Sequence, residues 1–501
     1  MSTGQQRENA LQTLTQSSLD ILIIGGGIVG SGIARDAAMR GLKTALIEQH
    51  DFAFGTSSRS SRLLHGGLRY LAQGRIGLVR EASIEKTILH RIAPHLAEPL
   101  PFIFPTYCGN KDWWLWQLKI GVKIYDLLCG GRNLGKSTWL NPDDVMHKVP
   151  SLTSDNLSGA VRYYDGFTND ARLVMDTLRS AAKAGATLLN YCRFRNSKRT
   201  DLWDCEVEDV LTGKTFTIRA RTIINATGPW ADGLPHSRVK LRVTKGIHIV
   251  AERSRVAVPE TVVMTEGKRI LFAIPWGERT ILGTTDTDYR GSADHVTADK
   301  SDIDYVLQIT NQFFPKVKLT GADVISSWAG LRPLLADPNG KPSDISRSHE
   351  IKNPEPGWWD VAGGKLTTFR LMAEQTVDRI VEALNRSDAL PCRTTDELLL
   401  PASETQNISG ILPPEFCRRV VEHYCANEWA VHLDDVMVRR TSWHHYHRDA
   451  ALKAEHVADW MAELLGWTNE QRAAELLRYR NVAGCQLAGK SSPSASSPAA
   501  K

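Results

Sequence analysis

A glycine-rich turn near the start of the chain places the strongest constraint on the fold. Gly25, Gly27 and Gly30 form the pattern G-x-G-x-x-G directly after an apolar strand at residues 21–24, and a helix is predicted from about 29 to 40. The first glycine of such a turn permits the tight bend, the second lets the backbone approach a pyrophosphate, and the third lets helix and strand pack closely. The helix N-terminus favours bound phosphate. This order of elements predicts a dinucleotide-binding α/β domain, and a purely structural glycine turn is the alternative.

The residues that follow complete a β-α-β start. Gly41 ends the helix in the usual C-terminal glycine position, and a second strand at 44–48 ends in Glu48. A carboxylate at this position can accept hydrogen bonds from ribose hydroxyls. The turn alone leaves open whether the dinucleotide is FAD or NAD.

Two later segments favour an extended cofactor that stays bound. The hydroxyl-rich run at 56–61 follows the acid closely and can donate hydrogen bonds along the cofactor. Residues 363–368 repeat the strand–glycine–helix arrangement between a strand at 359–362 and a helix at about 368–384. A second helix N-terminus far along the chain suits a cofactor that spans the domain. A glycine turn capped by threonine is the alternative interpretation of that second segment.

The chain is long enough for two or three domains, since it has 501 residues and a domain has roughly 100–200. Residues 221–226 predict another buried strand, and 270–274 with 280–283 predict a strand pair. After Pro401 the pattern becomes helical, as at 450–465, so we predict a separate helical domain at 401–490. The polar N-terminal residues 1–17 and the Ser/Pro/Ala-rich residues 491–501 are expected to be flexible tails.

Composition excludes several classes of partner and site. The net charge is only +5, which is too small to indicate nucleic acid and fits an anionic substrate or membrane surface. The eight cysteines include no C-x-x-C pair, so we expect no metal site and reduced thiols in a reducing compartment. The histidines at 444, 445 and 447 are expected to be packed or exposed, and a metal site there is the alternative. Without an apolar secretory core or an uncharged apolar run of roughly 20 residues, the protein is expected to be made in the cytoplasm and not to cross a bilayer.

Several motifs in order resemble one family. They are GGGIVG from residue 25, the TSS-containing loop, HGGLRYL from 65, NATGPW from 225, IPW from 274, GTTD from 283, GLRPL from 330 and GGKLTTFR from 363. Together they resemble the FAD-dependent, aerobic and quinone-linked glycerol-3-phosphate dehydrogenases from about residue 18 to 390, and more loosely through HLDDVMVRRT at 432–441.

The resemblance implies an α/β fold with three domains. A discontinuous Rossmann-like FAD domain of the D-amino-acid-oxidase type is expected at 18–90, 155–235 and 345–395. A β-sheet substrate-capping domain is expected at 91–154 and 236–344, followed by the C-terminal helical domain. The residues expected to bind FAD are Gly25, Gly27, Gly30, Glu48, Thr56, Ser57, Ser58, Ala226, Thr227, Gly228, Gly363, Gly364, Lys365, Leu366, Thr367 and Thr368.

The resemblance also implies a reaction and the residues that carry it. We expect oxidation of sn-glycerol 3-phosphate to dihydroxyacetone phosphate by hydride transfer from C2 to flavin N5, with electrons passed to a membrane quinone. His65, Arg69, Tyr70, Arg332 and Lys365 are expected to line the catalytic site. The arginines suit the substrate phosphate because a guanidinium binds it through forked, charge-assisted hydrogen bonds. His65 is the first candidate for the base because imidazole titrates near neutrality, although the identity of the base stays open.

Other functions remain as alternatives. A glycerol-3-phosphate oxidase would pass electrons to oxygen and form peroxide, and the sequence does not distinguish it. A flavin-binding protein without turnover would be expected to lose the cationic residues that this chain retains. A tRNA-modifying flavoprotein would be expected to have a larger basic surface.

Residues 111–128, KDWWLWQLKIGVKIYDLL, indicate contact with a membrane surface. At helical spacing Trp113, Trp116, Ile120, Ile124 and Leu127 form one apolar stripe beside several lysines. The charges exclude a membrane span and favour a helix that lies in the interface, and a helix packed on the protein core is the alternative. Since quinone-reducing members of the family sit on the membrane, we expect peripheral association with the inner face of the cell membrane, and a homo-oligomer is possible.

Overall fold

The computed structural model describes residues 3–71, 74–110, 112–130, 133–336 and 349–486. The described strands are β1 Leu19–Ile24, β2 Thr44–Ile47, β3 Leu63–Leu64, β4 Glu98–Tyr107, β5 Thr138–Leu140, β6 Leu157–Phe167, β7 Thr187–Leu189, β8 Cys192–Arg199, β9 Trp203–Asp209, β10 Thr215–Asn225, β11 Leu241–Glu252, β12 Thr261–Glu266, β13 Arg269–Trp276, β14 Arg279–Gly283, β15 Thr287–Asp288, β16 Ser326–Leu335, β17 His349–Glu355 and β18 Trp358–Gly363. The described α-helices are α1 Thr3–Gln16, α2 Ile28–Met39, α3 Ile76–Ile92, α4 Leu115–Leu128, α5 Pro142–Lys148, α6 Asp170–Lys183, α7 Lys300–Phe313, α8 Phe369–Ala383, α9 Ala402–Thr405, α10 Arg418–Asn427, α11 Trp443–Tyr446, α12 Ala450–Leu465 and α13 Asn469–Gln486.

The first sheet has a parallel centre with helices packed against it. Its order is β17-β18-β10-β1-β2-β7, with β9 and β8 continuing from β10. The four strand pairings from β18 through β10, β1 and β2 to β7 are parallel. Every residue of β1 is buried. A buried parallel strand is apolar throughout, as the sequence LDILII of β1 nearly is. The carboxyl ends of β1, β10 and β18 therefore meet at one edge, where open α/β sheets bind ligands.

The second sheet is mostly antiparallel and follows the order β15-β11-β14-β13-β12-β4-β6-β3, with β16 beside β11 and β5 beside β6. The predicted boundaries assign residues 155–235 to the first domain, whereas β6, within that range, lies in this second sheet. That strand pairs with β4 from Glu98 opposite Phe167 to Tyr107 opposite Leu157. A long antiparallel ladder fixes it in the second sheet, since pairing partners depend on tertiary structure and not on local pattern.

Most of the locally predicted elements are confirmed. The strand at 21–24, the helix after the glycine turn and the strand at 44–48 correspond to β1, α2 and β2. The predicted strand pair corresponds to β13 and β14, which are antiparallel neighbours. The helix predicted at 450–465 matches α12 at both ends.

The expected flexible N-terminal tail is instead helix α1. Leu14 is fully buried against the first sheet. Arg7 donates to the Asn190 carbonyl at 2.7 Å and forms an ion pair with Asp209 at 2.5 Å. The polar composition concealed an apolar face formed by Ala10, Leu11 and Leu14, which helical spacing brings together. Residues 491–501, the other predicted tail, lie outside the described residues.

The C-terminal helices dock on the first sheet through buried ions. A π-helical segment, Asp435–Arg440, carries two arginines that hold Asp51, with Arg439 at 2.5 Å and Arg440 at 2.7 Å. Burial opposes ionisation of Asp51, but the charges of Arg440 and Arg439 hold the pKa of its carboxyl below its ordinary value. His444 is buried nearby and its Nδ1 lies 2.8 Å from the Tyr479 hydroxyl. The helical region is therefore attached to the loop that follows β2.

Candidate active site

A cavity of about 580 Å³ lies at the carboxyl edge of the first sheet. Most of its wall comes from the first glycine turn, the segment from Glu48 to Ser60, the chain after β10 and the turn after β18, and residues of β8 and β16 complete it. The predicted cofactor residues that line it are Gly25, Gly27, Glu48, Thr56, Ser57, Ala226, Thr227, Gly228, Gly363, Gly364, Lys365 and Leu366. Of the others, Gly30, Ser58 and Thr367 lie directly beside lining residues in the chain, and Thr368 follows Thr367.

The glycines of the first turn are required by close approaches. A Cβ on Gly25, which has φ +111°, would lie 2.6 Å from the Ala226 carbonyl oxygen. A Cβ on Gly30 would lie 1.9 Å from the Gly25 carbonyl oxygen, which no side chain can do without moving the turn. Gly27 begins α2 without a side-chain cap, and the Ile28 N–H donates to Ser57 Oγ at 3.0 Å. The helix N-terminus therefore opens into the cavity, as an anion site requires.

Glu48 closes this turn from the end of β2. Its carboxylate accepts hydrogen bonds from Gly26 N at 2.8 Å and from His50 N at 2.9 Å. Burial raises the pKa of Glu48, and these two donors act in the opposite direction. A carboxylate has about four acceptor positions, so Glu48 retains acceptor capacity on the cavity side.

The hydroxyl-rich run has partners in the protein as well as a place on the cavity wall. Thr56 Oγ1 donates to the Leu331 carbonyl at 2.6 Å, and Ser57 accepts from the start of α2. The run therefore joins the cofactor cavity to β16 of the second sheet, in addition to any hydrogen bonds it could donate to a ligand.

The late glycine turn brings the cavity to the HGGLRY segment. Gly363 and Gly364 have φ of +75° and +80°, and a short 3₁₀ turn, Leu366–Thr368, leads into α8. Thr367 Oγ1 accepts from His65 N at 3.0 Å. Lys365 Nζ lies 4.3 Å from the centre of the Tyr70 ring, which is within range for a cation–π contact.

His65 follows β3, and the two glycines after it are constrained by their neighbours. Gly67 has φ +86°, and a Cβ there would lie 2.5 Å from the Tyr70 ring. Tyr70 is 4% exposed, whereas His65 is partly exposed. The structure thus brings His65, Tyr70 and Lys365 together, while the side chain of Arg69 lies outside the described residues.

Arg332 stands on β16 and is held by the loop after β14. Its Nη2 donates to Thr284 Oγ1 at 3.0 Å and to the Thr285 carbonyl at 3.1 Å, and its Nη1 lies 3.2 Å from Asp286 Oδ1. The neighbouring Pro333 lines the cavity. Arg332 is therefore a partly exposed cation beside the cavity, and its guanidinium is fixed by these hydrogen bonds.

Sequence reasoning missed a buried histidine next to Arg332. His248 Nε2 lies 2.8 Å from Ser61 Oγ, and its ring stacks on Trp328 with centroids 5.3 Å apart. Burial, with the charges of Arg332 and Arg62 adding to it, lowers the pKa of His248 to about 3. A lone histidine within the largely buried strand β11 gives no sequence signal beyond that of an ordinary core residue.

Comparison with known proteins assigns a family to the two-sheet part of the chain and to its C-terminal helical part. Residues 20–379 match the family model described as FAD dependent oxidoreductase, and 398–472 match the C-terminal domain of alpha-glycerophosphate oxidase. The glycerol-3-phosphate dehydrogenase of Mycobacterium leprae is 35% identical over 98% of this chain and 92% of its own length. The aerobic glycerol-3-phosphate dehydrogenase of Bacillus subtilis is 39% identical over 78% of this chain and 72% of its own.

A solved structure agrees with this assignment. The glycerol-3-phosphate dehydrogenase of Bacillus halodurans, complexed with FAD, superposes with a TM-score of 0.75 at 27% identity, covering 98% of this chain and 100% of that one. The fold is thus of the D-amino-acid-oxidase type, as the sequence predicts. This chain belongs to the family of FAD-dependent glycerol-3-phosphate dehydrogenases.

Proposed function

We propose that this protein oxidises sn-glycerol 3-phosphate to dihydroxyacetone phosphate and passes the electrons to a membrane quinone. One observation carries the proposal: the late glycine turn of the cofactor cavity is bonded to the HGGLRY segment through Thr367 and His65. This connection joins the segment that carries His65 to the turn that carries Lys365, a residue of the cavity wall.

The residues present fit FAD. The first turn has glycines where a Cβ would collide with backbone. A helix N-terminus whose N-cap residue, Gly27, has no side chain suits the pyrophosphate. Glu48 would hold the ribose, and the turn at Gly363 and Gly364 would hold the far end of the cofactor. We also propose that the first sheet and its helices form the FAD domain and that the second sheet forms the substrate-capping domain.

When bound, FAD supplies the acceptor for the hydride from substrate C2, at N5. His65 is proposed to take the hydroxyl proton, because imidazole is the side chain that exchanges protons near neutral pH. Lys365 would stabilise negative charge in the site, and the Tyr70 ring keeps its ammonium in place through the cation–π contact. Arg332, together with Arg69, would bind the substrate phosphate through charge-assisted hydrogen bonds.

Helix α4 supports a peripheral contact with the membrane. Its inner face, Leu118, Val122 and Tyr125, is buried, whereas Trp116 is 60% exposed and Leu127 is 76% exposed. Helix α4 therefore combines the two alternatives for this segment, with one face on the core and the other in solvent. No helix within the described ranges is long and apolar enough to cross a membrane.

The exposed apolar surface extends beyond the predicted stripe. Trp114 and Trp139 join it, and Lys119 Nζ lies 4.3 Å from the centre of the Trp139 ring. Trp113, in contrast, turns inward to donate to the Gly267 carbonyl at 2.9 Å and lies against Phe104. An apolar surface flanked by lysines is typical of a helix in the membrane interface. Lys111 and Arg132 lie outside the described residues.

The activity is tested by steady-state oxidation of glycerol 3-phosphate with a dye acceptor, alongside unphosphorylated glycerol. We expect turnover with the first substrate and little with the second. Reduction of a quinone analogue should exceed the peroxide yield, and a stoichiometric peroxide yield would indicate an oxidase instead. Absence of turnover in protein that carries FAD would contradict the proposal.

The membrane contact is tested by sedimentation with anionic liposomes. We expect the wild type to pellet in part and to be released by high salt or detergent, since each basic residue contributes about 1 kcal/mol at an anionic surface. Leu127→Glu should reduce pelleting. Leu452→Glu is the matched control, because Leu452 is 61% exposed on α12, away from this surface. Equal pelleting of both variants would contradict the assignment of the contact to α4.

A further inference from the structure

A tyrosine on the inner face of α4 stands directly behind the HGGLRY segment. Tyr125 is fully buried, and its hydroxyl accepts a hydrogen bond from Gly66 N at 2.8 Å. The same hydroxyl donates to Asp165 on β6. Burial, and then the charge of Asp165, raise the pKa of Tyr125 well above its ordinary value. The hydroxyl therefore stays protonated and donates its hydrogen bond to Asp165. An oxygen lone pair of the same hydroxyl remains to accept the hydrogen bond from the Gly66 N–H.

Asp165 is itself fixed from a third element. Lys86 on α3 is fully buried, and its Nζ lies 2.9 Å from Asp165 Oδ1 and 3.2 Å from the Tyr164 carbonyl. Lys86 Nζ also donates to Asn133 Oδ1 at 2.9 Å. A buried ion pair with all its hydrogen bonds formed is rigid, because any displacement leaves a charge unsatisfied.

The fit between Gly66 and this cluster leaves no room for a side chain at position 66. A Cβ on Gly66 would lie 2.4 Å from the Tyr125 hydroxyl and 2.6 Å from Ser83 Oγ. On the cofactor side, Thr367 Oγ1 bonds both the N–H and the carbonyl of His65, at 3.0 and 3.2 Å. The backbone at His65 is thus held from two sides, by the cofactor turn and by Tyr125.

We propose that Tyr125, supported by Asp165 and Lys86, is a positioning residue for His65. It fixes the peptide that joins His65 to Gly66, and through it the direction in which the imidazole meets the substrate hydroxyl. The proposal rests on the proposed function, because it assigns a role in that reaction to a residue outside the cavity lining.

Tyr125→Phe tests the role, since it keeps the ring and removes only the hydroxyl. We expect kcat for glycerol 3-phosphate to fall about tenfold, the effect of one buried hydrogen bond. KM should stay within about twofold, because the proposed phosphate anchor, Arg332, stands on another sheet strand. The acidic limb of the pH–rate profile should shift, while FAD content and Tm stay near those of the wild type.

Tyr163→Phe is the matched control. Tyr163 is buried in the same cluster, with its ring centroid 6.2 Å from that of Tyr125, and it belongs to the core and not to the Gly66 contact. Its kcat should stay within about twofold of the wild type. Equal losses in both variants would assign the effect to general packing and overturn the proposal.

Amide hydrogen exchange gives a readout that does not need turnover. The peptide that contains Gly66 should exchange faster in Tyr125→Phe and at the wild-type rate in Tyr163→Phe. In Tyr125→Phe the Gly66 N–H loses the nearer of its two acceptors and keeps only the longer bond to Asp165 Oδ1, at 3.3 Å. Unchanged exchange together with wild-type kcat would overturn the positioning role. A wild type that does not oxidise glycerol 3-phosphate would instead contradict the proposed function, and faster exchange would then still support the Tyr125 contact.

Discussion

The two ends of the site are built in different ways. At the cofactor end each turn lies within one strand–glycine–helix segment, and its tightest constraint is local, between Gly30 and Gly25, although Gly25 also lies against Ala226 after β10. At the substrate end the contacts join distant parts of the chain: His65 and Thr367 are 302 residues apart, and Thr56 and Leu331 are 275 apart. Local constraints decide whether FAD binds, whereas long-range contacts decide how a bound substrate reacts. Substitutions at the two ends should therefore have separable effects.

The largest effect is expected at the cofactor end, from Gly30→Ala. The added Cβ would lie 1.9 Å from the Gly25 carbonyl oxygen, so the turn must open. We expect the protein to be purified without FAD, as measured by the flavin absorbance and by the FAD released on denaturation. Gly77→Ala is the control, because a Cβ at Gly77, on α3, meets nothing within 4 Å. Retention of FAD by Gly30→Ala would show that the first turn does not govern binding.

His65→Gln should separate the two ends most clearly. The variant should retain FAD while kcat falls about 10²–10⁴-fold, because loss of base assistance is felt mainly in the transition state. The acidic limb of the pH–rate profile should flatten. Steady-state kinetics over pH, with FAD content measured on the same samples, checks both points. Near-normal kcat with the same acidic limb would indicate that the proton leaves by another route.

Arg332→Ala should affect binding more than the chemical step. A charge-assisted hydrogen bond contributes about 1.5–3 kcal/mol, so KM should rise roughly 10–150-fold. The preference for glycerol 3-phosphate over glycerol should disappear with it. Arg242→Ala, on β11 of the same sheet, is the control, since Arg242 is partly exposed and already paired with Asp288. An unchanged substrate preference in Arg332→Ala would show that another residue binds the phosphate.

The same contrast explains which features could be predicted from sequence. The glycine turn, Glu48 and the segment at 363–368 could be predicted because spacing within one segment defines them. The fold class followed from several such motifs in order. The residues of the catalytic set could be named from the resemblance. The hydrogen bond that joins His65 to Thr367 could not be predicted, because no local sequence pattern indicates it.

The errors have physical reasons of the same kind. The place of strand β6 in the second sheet could not be predicted, because strand pairing is a long-range property. Helix α1 was missed because polar residues outnumber the few that dock it, among them Leu14. The Tyr125 cluster could not be predicted, since it joins α3, α4 and β6 through groups that have no shared motif.

The smallest effect expected is a pH dependence of stability at the substrate end. His248 has an ordinary unfolded pKa near 6.5, and burial together with the charges of Arg332 and Arg62 lowers its folded pKa to about 3. Between these values the unfolded state binds more protons, so stability rises with pH and is lost as the pH falls below about 6.5. From pH 6.5 to 5 this histidine should account for a loss of about 2 kcal/mol. His248→Asn should therefore reduce the difference in Tm between the two pH values by about 2 °C. His147→Asn is the control, because His147 is exposed on α5, and it should leave the difference unchanged.

If His248→Asn keeps the full wild-type difference in Tm, the acid sensitivity comes from elsewhere. The first residue to examine would then be His50 beside Glu48, where burial lowers the pKa of the imidazole to about 4. Because His50 lies at the cofactor end, that result would reverse the assignment of acid sensitivity to the substrate end.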